Sequence, residues 1–188
     1  MKIISWNCGG LGNSWEVLAL LRLNRIENPN LVFLMETRLK GDEFQNIKRM
    51  SGFEGCLMVY CRGAEKERVG NLDLLWKEGI LLSINSYCLN HIGGSVNDES
   101  DQHEWFFSGI YGNSEENNIR KIWILLLYLA RRGGERFVCF RDLNDVLCKS
   151  EKLEGNSRTQ GQFSLGRHIM EPCGLIDLGF EGEIRWQN

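Results

Sequence analysis

An α/β fold is predicted for this chain by three stretches. The segment from Lys2 to Met35 reads strand, helix, strand, and its second strand, Leu31-Val32-Phe33-Leu34-Met35, is apolar without a break, so both of its faces must be covered. The middle, from Gly55 to Tyr111, is a series of short strands separated by polar or Gly-bearing turns, the pattern of an antiparallel meander. Finally, an amphipathic helix from about Glu115 to Arg132 delivers the chain into Phe137-Val138-Cys139-Phe140, which reads as a short buried strand.

Composition sets the outer bounds. A chain of 188 residues that is 43% hydrophobic and 25% charged can bury one substantial core, so a single domain over 1-188 is expected. The net charge of -3 gives no basic field, so affinity for nucleic acid would need a local patch. Seven cysteines, an odd number without framework spacing, and the lack of a signal peptide predict reduced thiols in a nuclear or cytoplasmic, not secreted, protein. The longest apolar run, Ile122 to Ala130, is too short for a bilayer, and no obligate protein partner is evident.

Taken in order, Lys2 to Trp6 is a strand followed by the glycine-bearing loop Asn7-Cys8-Gly9-Gly10-Leu11-Gly12. Asn13 is positioned to cap a helix with Glu16 three residues on, and Trp15, Leu18, Leu21 or Arg22, and Arg25-Ile26 continue the helical pattern until Pro29. After the Leu31 strand, Asp42 caps a short helix to about Met50. Strands follow at Gly55 to Tyr60, Leu72 to Trp76, Ile80 to Tyr87 and Trp105 to Tyr111, with Gly93 to His103 read as a turn region. The apolar face of the long helix carries Ile119, Ile122, Trp123, Leu126, Leu127 and Ala130, and Gly133-Gly134 ends it. A further helix near Gln162 to Met170 and a last strand near Ile184 to Trp186 complete the reading.

Polar residues recur where these strands end: Asn7, Glu36, Tyr111, and Asp142 with Asn144. Side chains two apart on an extended chain point the same way, so Asp142 and Asn144 would share one side of the exit from the sheet. A carboxylate there can orient a water and an amide can hold an anionic oxygen, although the pair also reads as an ordinary turn. Oxygen donors gathered at strand ends are what a hard divalent cation beside an anionic substrate requires.

At these residues the chain resembles the endonuclease/exonuclease/phosphatase family, and within it the endonuclease-like domain of plant LINE-type retrotransposons. The resemblance rests on Ile4-Ser5-Trp6-Asn7-Cys8-Gly9-Gly10-Leu11-Gly12, Leu31 through Glu36-Thr37, Leu74-Leu75-Trp76, Gly109-Ile110-Tyr111-Gly112, Asp142-Leu143-Asn144, and Cys173-Gly174-Leu175-Ile176-Asp177-Leu178-Gly179-Phe180, in family order. It implies a two-sheet α/β sandwich (the DNase I-like fold) that hydrolyses phosphodiesters in DNA with Mg²⁺, or Mn²⁺ in its place. By the same resemblance Glu36 is the principal metal ligand and Asn7 lies beside the metal and the phosphate. Asp142 activates the attacking water, Asn144 helps position it, and Tyr111 hydrogen-bonds the phosphate.

Three departures accompany the matches. Arg141 stands where the family has glycine before the aspartate, and the reading expects strain if that position needs positive φ, or a pairing of Arg141 with Asp142. Around Trp76 the family commonly has paired glycines and a small residue where this chain has Gly70-Asn71-Leu72-Asp73, and Asp73 within a strand must face solvent or find a partner. The family's closing Ser-Asp-His motif is not reached before Trp186-Gln187-Asn188, so the fold is expected to lack its C-terminal strands. The alternative to an enzyme is therefore a catalytically inactive, retrotransposon-derived remnant with at most metal or nucleic-acid binding. Cys88-Leu89-Asn90-His91 has a zinc-ligand spacing, but it is a single pair where structural sites use two.

Overall fold

Eleven elements follow one another in the computed structural model, which describes residues 1–62, 68–98, 103–112, 116–142, 174–176 and 178. They are β1 (Ile3–Asn7), α1 (Ser14–Glu27), β2 (Leu31–Met35), α2 (Gly41–Ser51), β3 (Gly55–Arg62), β4 (Arg68–Trp76), β5 (Leu81–Cys88), β6 (His91–Asp98), β7 (His103–Tyr111), α3 (Glu116–Gly133) and β8 (Phe137–Asp142). The chain divides into two compact units, Met1–Asp145 and Val146–Asn188, and the first contains all eleven elements. The helix expected near Gln162, the strand expected near Ile184, and Asn144 lie outside the described residues.

The strands form two four-stranded sheets, ordered β1-β2-β4-β3 and β5-β6-β7-β8. Each is mixed: β1 with β2 and β7 with β8 are parallel, and the remaining pairs are antiparallel. The unbroken apolar run of β2 is explained by its two partners. Leu31, Phe33 and Met35 join Leu72, Leu74, Ile92, Val96 and Phe107 in one core. Val32 and Leu34 pack on the other side with Leu20, Phe44, Ile47 and Phe53. All five β2 residues are buried, and each fully buried large apolar side chain contributes roughly 1.5–3 kcal/mol relative to exposure. α3 supplies the buried Ile122, Trp123, Leu126, Leu129 and Ala130.

Four local expectations are corrected. α1 is capped by Asn13 as predicted, its side chain accepting from the amides of Trp15 and Glu16. Its inner face, however, is Leu20 with Val17, while Trp15 is 82% and Ile26 77% exposed. α2 starts two residues earlier than an Asp42 cap requires: Lys40 is the N-cap and its amide donates to the Glu43 carboxylate at 2.8 Å. Gly93 to Asp98 is strand rather than turn, and residues 99–102 lie outside the described residues. A Cβ at Gly94 would stand 2.4 Å from the Ser83 carbonyl and 3.0 Å from the Phe107 ring, so glycine here marks close packing inside a sheet. Lastly, β8 is an edge strand among the described residues, and its residues are mostly half-buried, not fully buried.

Candidate functional site

Three strands bring their last residues to one end of the sandwich because of the period-two alternation. On β1, Ile3 packs in the core between the sheets, and Ser5 and Asn7 share its face. On β8, Phe140 packs against Phe33 with ring centroids 5.2 Å apart, and Asp142 follows on the same face. On β7, Tyr111 packs against that core, and Gly109 leaves room for the rings of Phe33 and Phe140, each within 2.7 Å of where its Cβ would stand. The register pairs Tyr111 with Asp142, and the Gly112 amide donates to the Asp142 carbonyl at 2.6 Å.

Glu36 arrives differently. Strict alternation after Met35 would send it to the helix side of β2. Instead Glu36 has φ 58° and Arg38 φ 54°, both left-handed, which costs roughly 1–2 kcal/mol at each non-glycine residue. The turn carries the carboxylate into the polar end of the sandwich. There the Tyr111 hydroxyl donates to Glu36 Oε1 at 2.5 Å, and Asn7 Nδ2 donates to the same oxygen at 3.0 Å. Asn7 Nδ2 also donates to Asp142 Oδ2 at 2.8 Å, so one amide group joins carboxylates from the two sheets. Asn7 Oδ1 accepts from the Gly9 amide at 3.1 Å, fixing which way the side chain faces.

The strained turn is anchored from below. Thr37, fully buried, donates its hydroxyl to Asp73 Oδ2 on β4, and its carbonyl accepts from Leu11 at 2.9 Å. Asp73 is itself 0% exposed, and its Oδ1 has no hydrogen-bond partner among the described residues. Burial pushes its carboxyl up to about 7, and the Thr37 hydroxyl opposes this only in part. For Glu36 the balance is reversed. Burial alone would raise its pKa, but the Tyr111 and Asn7 hydrogen bonds and the Arg38 guanidinium, 3.3 Å from Oε2, together hold it below the usual carboxylate range.

Asn7, Glu36, Tyr111 and Asp142 are thus brought together, as the strand-end pattern predicts. Arg141 has no positive φ, and its guanidinium lies over the Trp123 ring at 5.4 Å, on the opposite side of β8 from Asp142. Asp73 finds its partner in Thr37 instead of facing solvent. Arg38 and the Thr37–Asp73 pair are site features that residue types alone did not single out. The motif Glu36-Thr37-Arg38 held the signal, since a hydroxyl and a cation flank the carboxylate directly.

A divalent cation fits this donor set. Two carboxylates converge on one amide, all candidate ligands are oxygens, and Mg²⁺ is usually held by one or two carboxylates with waters and substrate oxygens completing its shell. No group of three or more His, Cys, Asp and Glu side chains suited to a metal occurs among the described residues. Nor is any described helix long and apolar enough to cross a membrane.

No family model and no curated protein matches the chain by sequence. Solved structures do match. The endonuclease domain of TRAS1, a telomere-specific non-LTR retrotransposon, aligns with TM-score 0.63 and 13% identity over 97% of this chain and 74% of that one. The human Nocturnin catalytic domain gives 0.62 and 13% over 92% and 70%. AP endonuclease LMAP from Leishmania major gives 0.62 and 16% over 92% and 66%. Two mixed sheets packed face to face, helices outside and these structural matches together assign the chain the DNase I-like α/β fold.

Proposed function

We propose that this chain is a phosphodiester hydrolase of the endonuclease/exonuclease/phosphatase type that acts on DNA and depends on Mg²⁺, with Mn²⁺ able to replace it. The observation that carries the reading is the single network in which Asn7 and Tyr111 hold Glu36 while Asn7 also holds Asp142. Likeness to a retrotransposon endonuclease domain and an AP endonuclease supports DNA as the substrate, and the strand-end motifs support a plant LINE-type origin. Both units, 1-188, are read as one such domain.

In this reading Glu36 is the principal ligand, with Asn7 beside it. The bound cation would supply charge neutralisation at the phosphate. Tyr111 orients the Glu36 carboxylate and is the phenol assigned to the phosphate. Asp142 accepts a proton from the attacking water and orients it, and Asn144 is assigned to hold that water or a phosphate oxygen. Asn7 keeps the two carboxylates in register, donating one N–H to each.

A second reading, a remnant that binds metal or nucleic acid without turnover, draws on Arg38. Its guanidinium already neutralises Glu36 Oε2, where a cation would bind. Nicking of supercoiled plasmid separates the two. Mg²⁺-dependent nicking that stops with EDTA and is lost in a folded Glu36→Ala/Asp142→Ala variant supports the enzyme. A folded wild-type protein that binds Mn²⁺ but never nicks supports the remnant.

A further inference from the structure

On the β5–β6 hairpin, three side chains form a relay that the proposed hydrolysis does not use. Cys88 and His91 are register partners flanking the two-residue turn Leu89-Asn90. Cys88 Sγ lies 2.9 Å from His91 Nδ1, and His91 Nε2 lies 3.1 Å from Ser86 Oγ. A serine oxygen accepts a hydrogen bond far better than a thiol sulfur does. With the imidazole proton on Nε2 and donated to Ser86, the Nδ1 lone pair faces the thiol. The Asn90 amide also donates to Cys88 Sγ at 3.4 Å.

The surroundings suit a reactive thiol. Cys88 is the exposed one of the four described free cysteines. His91 is 6% exposed, and burial lowers its pKa, so the resting ring is neutral with its Nδ1 within reach of the thiol. Cys8 is the contrasting case: it is buried, its thiol is pushed up to about 11 by burial, and it donates to the Met35 carbonyl. The hairpin turn also grips Tyr111. The Tyr111 amide donates to the Asn90 carbonyl at 2.9 Å, and Asn90 Nδ2 donates back to the Tyr111 carbonyl at 3.1 Å.

We propose that Cys88 is a base-assisted modification site for small disulfides and soft electrophiles, with His91 as its base and Ser86 fixing the His91 tautomer. In the step with a disulfide, the thiol proton passes to His91 Nδ1 as sulfur attacks one sulfur of the reagent. The reagent's S–S bond breaks, a new S–S bond forms to Cys88, and the expelled thiolate carries away the electron pair. The imidazolium then returns its proton to solvent. No outside oxidant is needed beyond the disulfide itself.

The probe is dithiobis(nitrobenzoic acid) on the full chain at neutral pH, with peptide mass mapping of the first thiol to react. The expected result is a fast phase that maps to Cys88, vanishes in Cys88→Ser, and slows about tenfold in His91→Gln. Loss of structure would expose buried thiols and raise the rate, so a fall separates lost base assistance from damage to the fold. A folded His91→Gln protein that labels Cys88 as fast as wild type overturns the proposal, as does a fast phase on another cysteine. If His91→Gln fails to fold, Ser86→Ala decides: slower labelling supports the relay, and an unchanged rate overturns it.

Discussion

Asp73 offers a pH signature in the stability of the fold. In the native state its carboxyl is pushed from the ordinary 3.8 up to about 7, first by burial, because Oδ1 has no described partner and Oδ2 has Thr37 alone. Cys8 stays a neutral thiol throughout this window, its pKa pushed up to about 11 by burial and further by the Asp73 and Glu16 charges. The native state thus binds this proton more tightly than the unfolded chain does. The stability it contributes is complete below the unfolded value and is lost as pH rises through the native one. Each pH unit in that window removes about 1.4 kcal/mol, on the order of 4 kcal/mol across the whole of it. Asp73→Asn keeps the shape and an acceptor for Thr37 but cannot titrate. Urea unfolding followed by fluorescence of the six tryptophans, in wild type and variant at a series of pH values, reads the effect. The variant is expected to gain on wild type by several kcal/mol between acid and mildly alkaline pH, roughly the size of the window above. Parallel pH profiles for the two proteins would refute the argument.

Three further outcomes are expected. Tyr111→Phe removes the hydroxyl that donates to Glu36, so the Glu36 pKa, followed by NMR titration, should rise, and hydrolysis should fall roughly ten- to hundredfold; an unmoved titration would count against the contact. Arg38→Ala frees Glu36 Oε2 from its cation and should tighten divalent-metal binding by roughly a few-fold, most clearly at low salt, as calorimetry would show. Gly109→Ala drives a methyl into the Phe33 and Phe140 rings and should lower unfolding stability by about 1–3 kcal/mol, checked by the denaturant midpoint.

Much of this architecture was legible because it follows from periodicity. The period-two rule that buries Ile3, Phe140 and the core-facing side of β7 also carries Asn7, Asp142 and Tyr111 to one end, so three of the four clustered residues could be read from strand ends. Glu36 is the instructive exception. Its position was evident, but the left-handed backbone that turns it inward belongs to a non-glycine residue, and nothing in the residue type announces it. β6 was hidden because paired glycines signal turns locally, whereas Gly94 answers to a carbonyl and a ring from neighbouring strands. Likewise Trp15 and Ile26 fit a helical stripe, yet the side of α1 that meets the core was chosen by Leu20 and its tertiary partners. Asp73 and Thr37 lie 36 residues apart, and only the β2–β4 register brings their strands together.

The most direct test of the account is a Mn²⁺ titration followed by electron paramagnetic resonance on wild type, Glu36→Ala and Asp142→Asn, all shown to be folded. One site in wild type that is lost in Glu36→Ala and weakened in Asp142→Asn is the predicted result. Undiminished Mn²⁺ binding by the Glu36→Ala protein would contradict the assignment of this carboxylate cluster as the metal centre.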